Sequence, residues 1–152
     1  TGAVILTGPF MSDGDRRHLH QLAAQRARTR VLDFTPEPER LLAGADWVVS
    51  MAGYNTTCEI LSAGKEALLV PRVRPRLEQW IRAQRLANLG VVTTVHPDAL
   101  TPDQISRWFE WTHRRPRPRP AIDLQGLRRV PTLLQELVTT PATADPRLLQ
   151  PA

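Results

Sequence analysis

The segment from Trp47 to Val70 most constrains what this chain can fold into. Trp47-Val48-Val49-Ser50 is a short apolar run that stops at Met51-Ala52-Gly53, as a buried strand does. Asn55 and Thr56 can cap a following helix, Ile60, Leu61 and Ala63 give it an apolar face, and Gly64 falls where a helix closes. Ala67-Leu68-Leu69-Val70 then reads as a second strand, ended by Pro71. Strand, glycine turn, helix and strand within about 25 residues form the βαβ unit of a parallel sheet. Ligands of such sheets lie at the carboxyl edge, where helix N-termini point, and Gly53, Tyr54, Asn55, Thr56 and Thr57 fall on that edge.

The chemistry of that edge suits a phosphate. Unpaired N–H groups at a helix start, with the helix dipole behind them, attract an anion, and the hydroxyls of Thr56 and Thr57 add donors. Glu59, about one turn into the helix, repels the anion but can accept both hydroxyls of a ribose beside a diphosphate. A surface carboxylate favoured by the helix dipole is the alternative reading of Glu59.

The run Gly53-Tyr54-Asn55-Thr56-Thr57-Cys58-Glu59, followed by Gly64, Pro71 and Gln79, resembles the C-terminal domain of GT-B glycosyltransferases. The similarity is to the group that includes the peptidoglycan-precursor N-acetylglucosaminyltransferase. Within that group the sequence is most similar to bacterial predicted glycosyltransferases carrying GYNTxxEIL and VPRVRPRxEQ. The match is specific over Ala45 to Gly90 and extends from Ala3 to Val138. Lys65-Glu66 departs from the group's usual Pro beside a small residue, and Arg82 replaces the Asn of its best-known member.

The resemblance implies an α/β, Rossmann-like parallel sheet flanked by helices that holds a nucleotide-sugar donor, UDP-linked, for transfer to an acceptor. It implies metal-independent chemistry with no cofactor, the leaving diphosphate being stabilised by helix N–H groups and cations. The catalytic base comes from an N-terminal acceptor domain, which also makes any peripheral membrane contact; no residue of this chain is assigned that role. The loop after the second strand, at Phe34 and Thr35, closes over the base, and Glu78 and Gln79 meet the sugar hydroxyls. Phe34 is equally readable as a core aromatic.

Around this centre the rest of the chain reads as support. Ala3-Val4-Ile5-Leu6 is an apolar strand ended by Thr7-Gly8-Pro9, which places Gly8 on the ligand side. Asp13 or Asp15 caps a helix to about Arg28 with Leu19, Leu22 and Ala23 inward and His18 and His20 solvated. Arg30 to Thr35 is a strand, and Pro36 with Glu37 and Glu39 starts a helix. Arg72, Arg74 and Arg76 alternate in a proline-stiffened loop at a carboxyl edge, which puts them on one side, facing a phosphate or solvent. Val91 to Val95 is a last strand, His96-Pro97 a turn, and Thr101-Pro102-Asp103-Gln104 a capping box before a helix with Ile105, Trp108 and Phe109 on one face.

The expected organisation is a nucleotide-sugar domain over 1–113, an Arg/Pro connector over 114–120, a crossing helix over 121–139 interrupted at Pro131, and a disordered tail over 140–152. At 152 residues the chain is one half of a GT-B enzyme, and its start at Thr1 suggests a fragment. A first βα unit with a glycine-rich turn is expected to be missing, so weak nucleotide affinity, no transfer by the chain alone and self-association are expected as well. The net charge of +5 raises nucleic acid or anionic lipid as partners, yet 14 Pro and an excess that is almost all Arg indicate genomic composition bias. No base-stacking pattern accompanies the Arg, so nucleic acid is disfavoured. Cys58 stands alone, which excludes a disulfide framework and fits a cytoplasmic location. Two rival functions remain: a GT-B-related sugar-nucleotide epimerase, and a noncatalytic basic module that binds nucleic acid or anionic lipid.

Overall fold

A computed structural model describes residues 2–114 and 122–139. The described residues as far as Arg114 form one compact unit. Its elements alternate as expected: β1 (Ala3–Leu6), α1 (Asp13–Ala24), β2 (Thr29–Leu32), α2 (Pro38–Gly44), β3 (Trp47–Ser50), α3 (Tyr54–Ser62), β4 (Glu66–Leu69), α4 (Glu78–Asn88), β5 (Thr93–Thr94) and α5 (Pro102–Arg114). The Arg/Pro connector beyond Arg114 and the tail from residue 140 lie outside the described residues.

Every strand pair is parallel, but the strands form two sheets, β1-β2 and β3-β4-β5. In a dinucleotide-type sheet of order 3-2-1-4-5-6, the described strands take positions two to six, so the first strand of that order belongs between β1 and β3. The exposures agree. β1 has the continuous apolar composition of a strand buried on both faces, yet Val4 is 52% and Leu6 44% exposed, and Val49 of β3 is 44% exposed. Ala3 and Thr7 donate their amides to Arg28 and Leu32 carbonyls of the β2 segment. Strand alternation therefore turns the amides of Val4 and Leu6 to the other edge.

The core sits on the three-stranded sheet. Ile60, Leu68 and Leu69 are fully buried with Ala52, Ala67 and Ala83, and each large side chain contributes about 1.5–3 kcal/mol by leaving water. Val91 and Val92 are buried but precede the ladder, so β5 is confined to Thr93–Thr94 instead of Val91 to Val95. α5 covers this sheet through Trp108, whose indole N–H donates to Thr93 Oγ1 at 3.2 Å, and through an edge-to-face contact of Phe109 with Trp47 at 5.9 Å.

Helix ends follow local chemistry, with corrections. α1 is capped by Ser12, which accepts the Asp15 amide, so Asp13 and Asp15 lie in the first turn; the helix stops at Ala24, short of Arg28. His20 is paired with Asp33 at 2.9 Å instead of being merely solvated. α2 begins at Pro38, the N1 position where a missing N–H costs nothing. α3 is capped by Gly53 with no side-chain bond, so Asn55 and Thr56 stand inside the helix. Its end is a Schellman turn: Gly64 has φ 58, its amide donates to Leu61, and the Lys65 amide donates to Ile60. The capping box before α5 is reciprocal, since Gln104 donates its amide to Thr101 Oγ1 at 3.3 Å and accepts the Thr101 amide at 3.0 Å. In a separate unit, α6 (Gly126–Thr139) runs continuously through Pro131, which the sequence reading had as a kink or break.

Candidate functional site

The site is built on the carboxyl edge of β3 and β4. After Ser50 the chain turns through Met51-Ala52-Gly53 into α3, and the amides of Tyr54, Asn55 and Thr56 make no hydrogen bond among the described residues. Thr57 makes the first intrahelical bond, donating to the Gly53 carbonyl at 2.9 Å. Three N–H groups left free at the positive end of a helix with no side-chain cap are the arrangement that attracts an anion. Asn55, Thr56 and Glu59 are exposed, and Glu59, four residues after Asn55 and three after Thr56, neighbours both on the helix surface. Glu59 has no ion pair among the described residues. Thr57 departs from the expected surface position: it is 2% exposed, and its hydroxyl has no partner among the described residues.

The second wall is the loop from Pro71 to Leu77. Pro71 is buried, while Arg72, Arg74 and Arg76 are all exposed; the loop bends at Arg74 and Pro75 instead of running extended, so alternation does not put the three on one side as the sequence suggests. None has an ion pair among the described residues.

α4 braces both walls. Gln79 Oε1 accepts the Arg72 amide at 3.0 Å, so its carbonyl oxygen fixes the start of the cationic loop. One helical turn on, Arg82 Nη1 donates to the Ala52 carbonyl at 2.8 Å, and its guanidinium carbon lies 5.5 Å from the centre of the Tyr54 ring. Sequence reasoning treated Arg82 as a substituted sugar residue and missed this role, because the two residues are 30 apart and only the fold brings them together. Glu78 is exposed in the first turn of α4, where the dipole favours a carboxylate.

The remaining candidates lie on the two-stranded sheet. Gly8 follows β1 and accepts the Met11 amide through its carbonyl; Phe34 and Thr35 follow β2. Phe34 is 79% exposed, which removes the core-aromatic reading. Thr35 Oγ1 accepts the Glu37 amide at 3.3 Å and shapes the loop into α2. Parallel pairing puts Gly8 and Phe34 at the carboxyl edge of their own sheet.

The fold is of the parallel α/β class, in which an uncapped helix start at the carboxyl edge of the sheet is where nucleotide-handling domains hold phosphate. The C-terminal domain profile of glycosyltransferase family 28 matches residues 4–110, and the chain belongs to that family. The UDP-N-acetylglucosamine–N-acetylmuramyl-(pentapeptide) pyrophosphoryl-undecaprenol N-acetylglucosamine transferase of Haemophilus ducreyi is 28% identical over 92 residues, which are 60% of this chain and 26% of that protein. Its namesake from Proteus mirabilis is 29% identical over 101 residues, 65% of this chain and 28% of that protein. The chain thus spans about a quarter of the length of the curated relatives it matches. Among solved structures, MurG of Acinetobacter baumannii gives a TM-score of 0.57 at 22% identity, over 73% of this chain and 32% of that one. The kitacinnamycin glycotransferase gives 0.54 at 14% identity, over 76% and 35%. These likenesses bear out the expected GT-B C-terminal fold, present in part.

Proposed function

We propose that this chain is the donor-binding domain of a glycosyltransferase that moves a sugar from a nucleoside diphosphate, UDP-linked, to an acceptor held by a second, N-terminal domain. The observation that carries the reading is the uncapped start of α3, with its three amides free among the described residues. A diphosphate leaving group gains negative charge as the glycosidic bond breaks, and fixed N–H dipoles with nearby guanidinium groups stabilise that charge without a divalent ion. Glu59, on the exposed face of α3, accepts the ribose hydroxyls, and the exposed Phe34 ring packs on the base. The printed names of the curated relatives include a UDP-sugar donor, which supports the choice of nucleotide. They also include an undecaprenol-linked acceptor, which supports a cytoplasmic enzyme touching the membrane through its acceptor domain. α6 presents Leu127, Val130, Leu134 and Leu137 along one exposed face, suited to crossing onto that second domain.

Titration of UDP, GDP and uridine against the chain, followed by amide chemical shifts, tests the reading. UDP is expected to move Tyr54, Asn55 and Thr56 and uridine to bind far more weakly. Glu59→Ala should cost about 1.5–3 kcal/mol of UDP binding through the lost charge-assisted pair. A parent chain indifferent to every nucleoside diphosphate, or a Glu59→Ala variant that binds UDP within about twofold of the parent, overturns it.

A further inference from the structure

We infer that Arg82 is a positioning residue for the phosphate turn, one that sets the start of α3 from a different helix; the inference deepens the donor-binding reading and rests on it. Three observations converge on this residue. Its guanidinium donates to the carbonyl of Ala52, a residue with no exposed surface, at 2.8 Å. That carbonyl belongs to the residue immediately before the N-cap Gly53, which has no side-chain bond of its own. The same guanidinium lies over the ring of Tyr54, the first residue of α3. Arg82 therefore grips the turn on both sides of Gly53, where a glycine would otherwise leave the backbone free to move.

Fixing this turn matters for binding because three amides must point at one anion together. A loose turn would be ordered only when the ligand arrives, and that ordering is subtracted from affinity. The position of Arg82 one turn after Gln79 makes α4 a brace for both phosphate walls, with Gln79 on the Arg72 amide and Arg82 on the Ala52 carbonyl. The part-buried Arg82 is held by these contacts, whereas Arg72, Arg74 and Arg76 are exposed and unpaired among the described residues. Arg82 thus acts through the backbone of the turn, not as a free cation.

Arg82→Ala and Arg82→Lys in the 152-residue chain separate this role from a general electrostatic one. Two quantities are read: the exchange rate of the Thr57 amide without ligand, and the dissociation constant for UDP. Arg82→Ala is expected to speed Thr57 exchange and weaken UDP about tenfold each, the scale of one lost hydrogen bond from a charged donor. Exchange at Leu68 and Leu69 should stay unchanged, showing that the sheet remains folded. Arg82→Lys, which keeps a charged donor, should recover most of both losses. Unchanged Thr57 exchange in Arg82→Ala overturns the assignment whatever UDP does, since the residue would then act by charge alone. If Arg82→Ala unfolds the sheet, Arg82→Lys decides: Thr57 exchange near the parent rate supports the assignment, and exchange as fast as in an unfolded chain overturns it. A parent chain that fails to bind UDP while Thr57 exchange responds to Arg82→Ala would sink the donor reading and leave the brace intact.

Discussion

Thr57 is buried in the first turn of α3 with a hydroxyl that meets no partner among the described residues. A buried hydroxyl left unpaired costs about 1–3 kcal/mol, and valine has nearly the same shape without that cost. Thr57→Val should raise stability by about 1 kcal/mol in denaturant unfolding; a loss of stability would show that the hydroxyl is bonded in solution. The same residue illustrates a limit of reading side chains from a motif. Thr56 and Thr57 are adjacent and chemically alike, but at 100° per residue they face different ways, so one is exposed and the other lies in the core.

Among the elements, β4 and β1 carry similar apolar sequences and opposite environments. Leu68 and Leu69 are within 1% of complete burial, while Leu6 is 44% exposed on a strand paired along one edge only. Leu68→Ala should therefore cost about 2–5 kcal/mol of stability, as deletion of a buried leucine does, and Leu6→Ala less than about 1 kcal/mol. Denaturant titrations of the two variants check this, and a Leu6→Ala loss as large as that of Leu68→Ala would mean that β1 is covered in solution. Hydrogen exchange should rank the strands in the same order, with β1 opening before β4.

For the molecule as a whole, the two-piece sheet sets the behaviour. Among the described residues β1 and β3 each pair along one edge only, and they bear Val4, Leu6 and Val49 and none of the charges that normally protect an edge. β2, by contrast, carries exposed Arg30. Apolar strands open along one side recruit other strands, so the chain should self-associate with rising concentration in sedimentation velocity, and Val4→Lys with Val49→Lys should return it to monomer. A parent chain that stays monomeric at high concentration would show these edges to be sealed. The net charge of +5 opposes association only weakly at physiological salt, where charges beyond about 8 Å are screened.

The order of elements and the uncapped helix start after Gly53 were legible in the sequence, because a buried strand, a glycine turn, a capping box and a Schellman glycine are set by residues close together in the chain. Gly53, Gly64, Pro71 and the Thr101–Gln104 box all stand where their local chemistry puts them. Family resemblance carried the reading from phosphate to nucleotide sugar, which periodicity alone does not reach. What only the tertiary structure decided is how distant residues meet: that Arg82 grips the turn before α3, that Gln79 fixes Arg72, that His20 pairs with Asp33, and that Phe34 is exposed. The gap in the sheet between β1 and β3, by contrast, follows the expectation that the first βα unit is missing. Composition can mark a strand as apolar, but which neighbour covers it depends on contacts between segments far apart in the chain, and no local pattern encodes those.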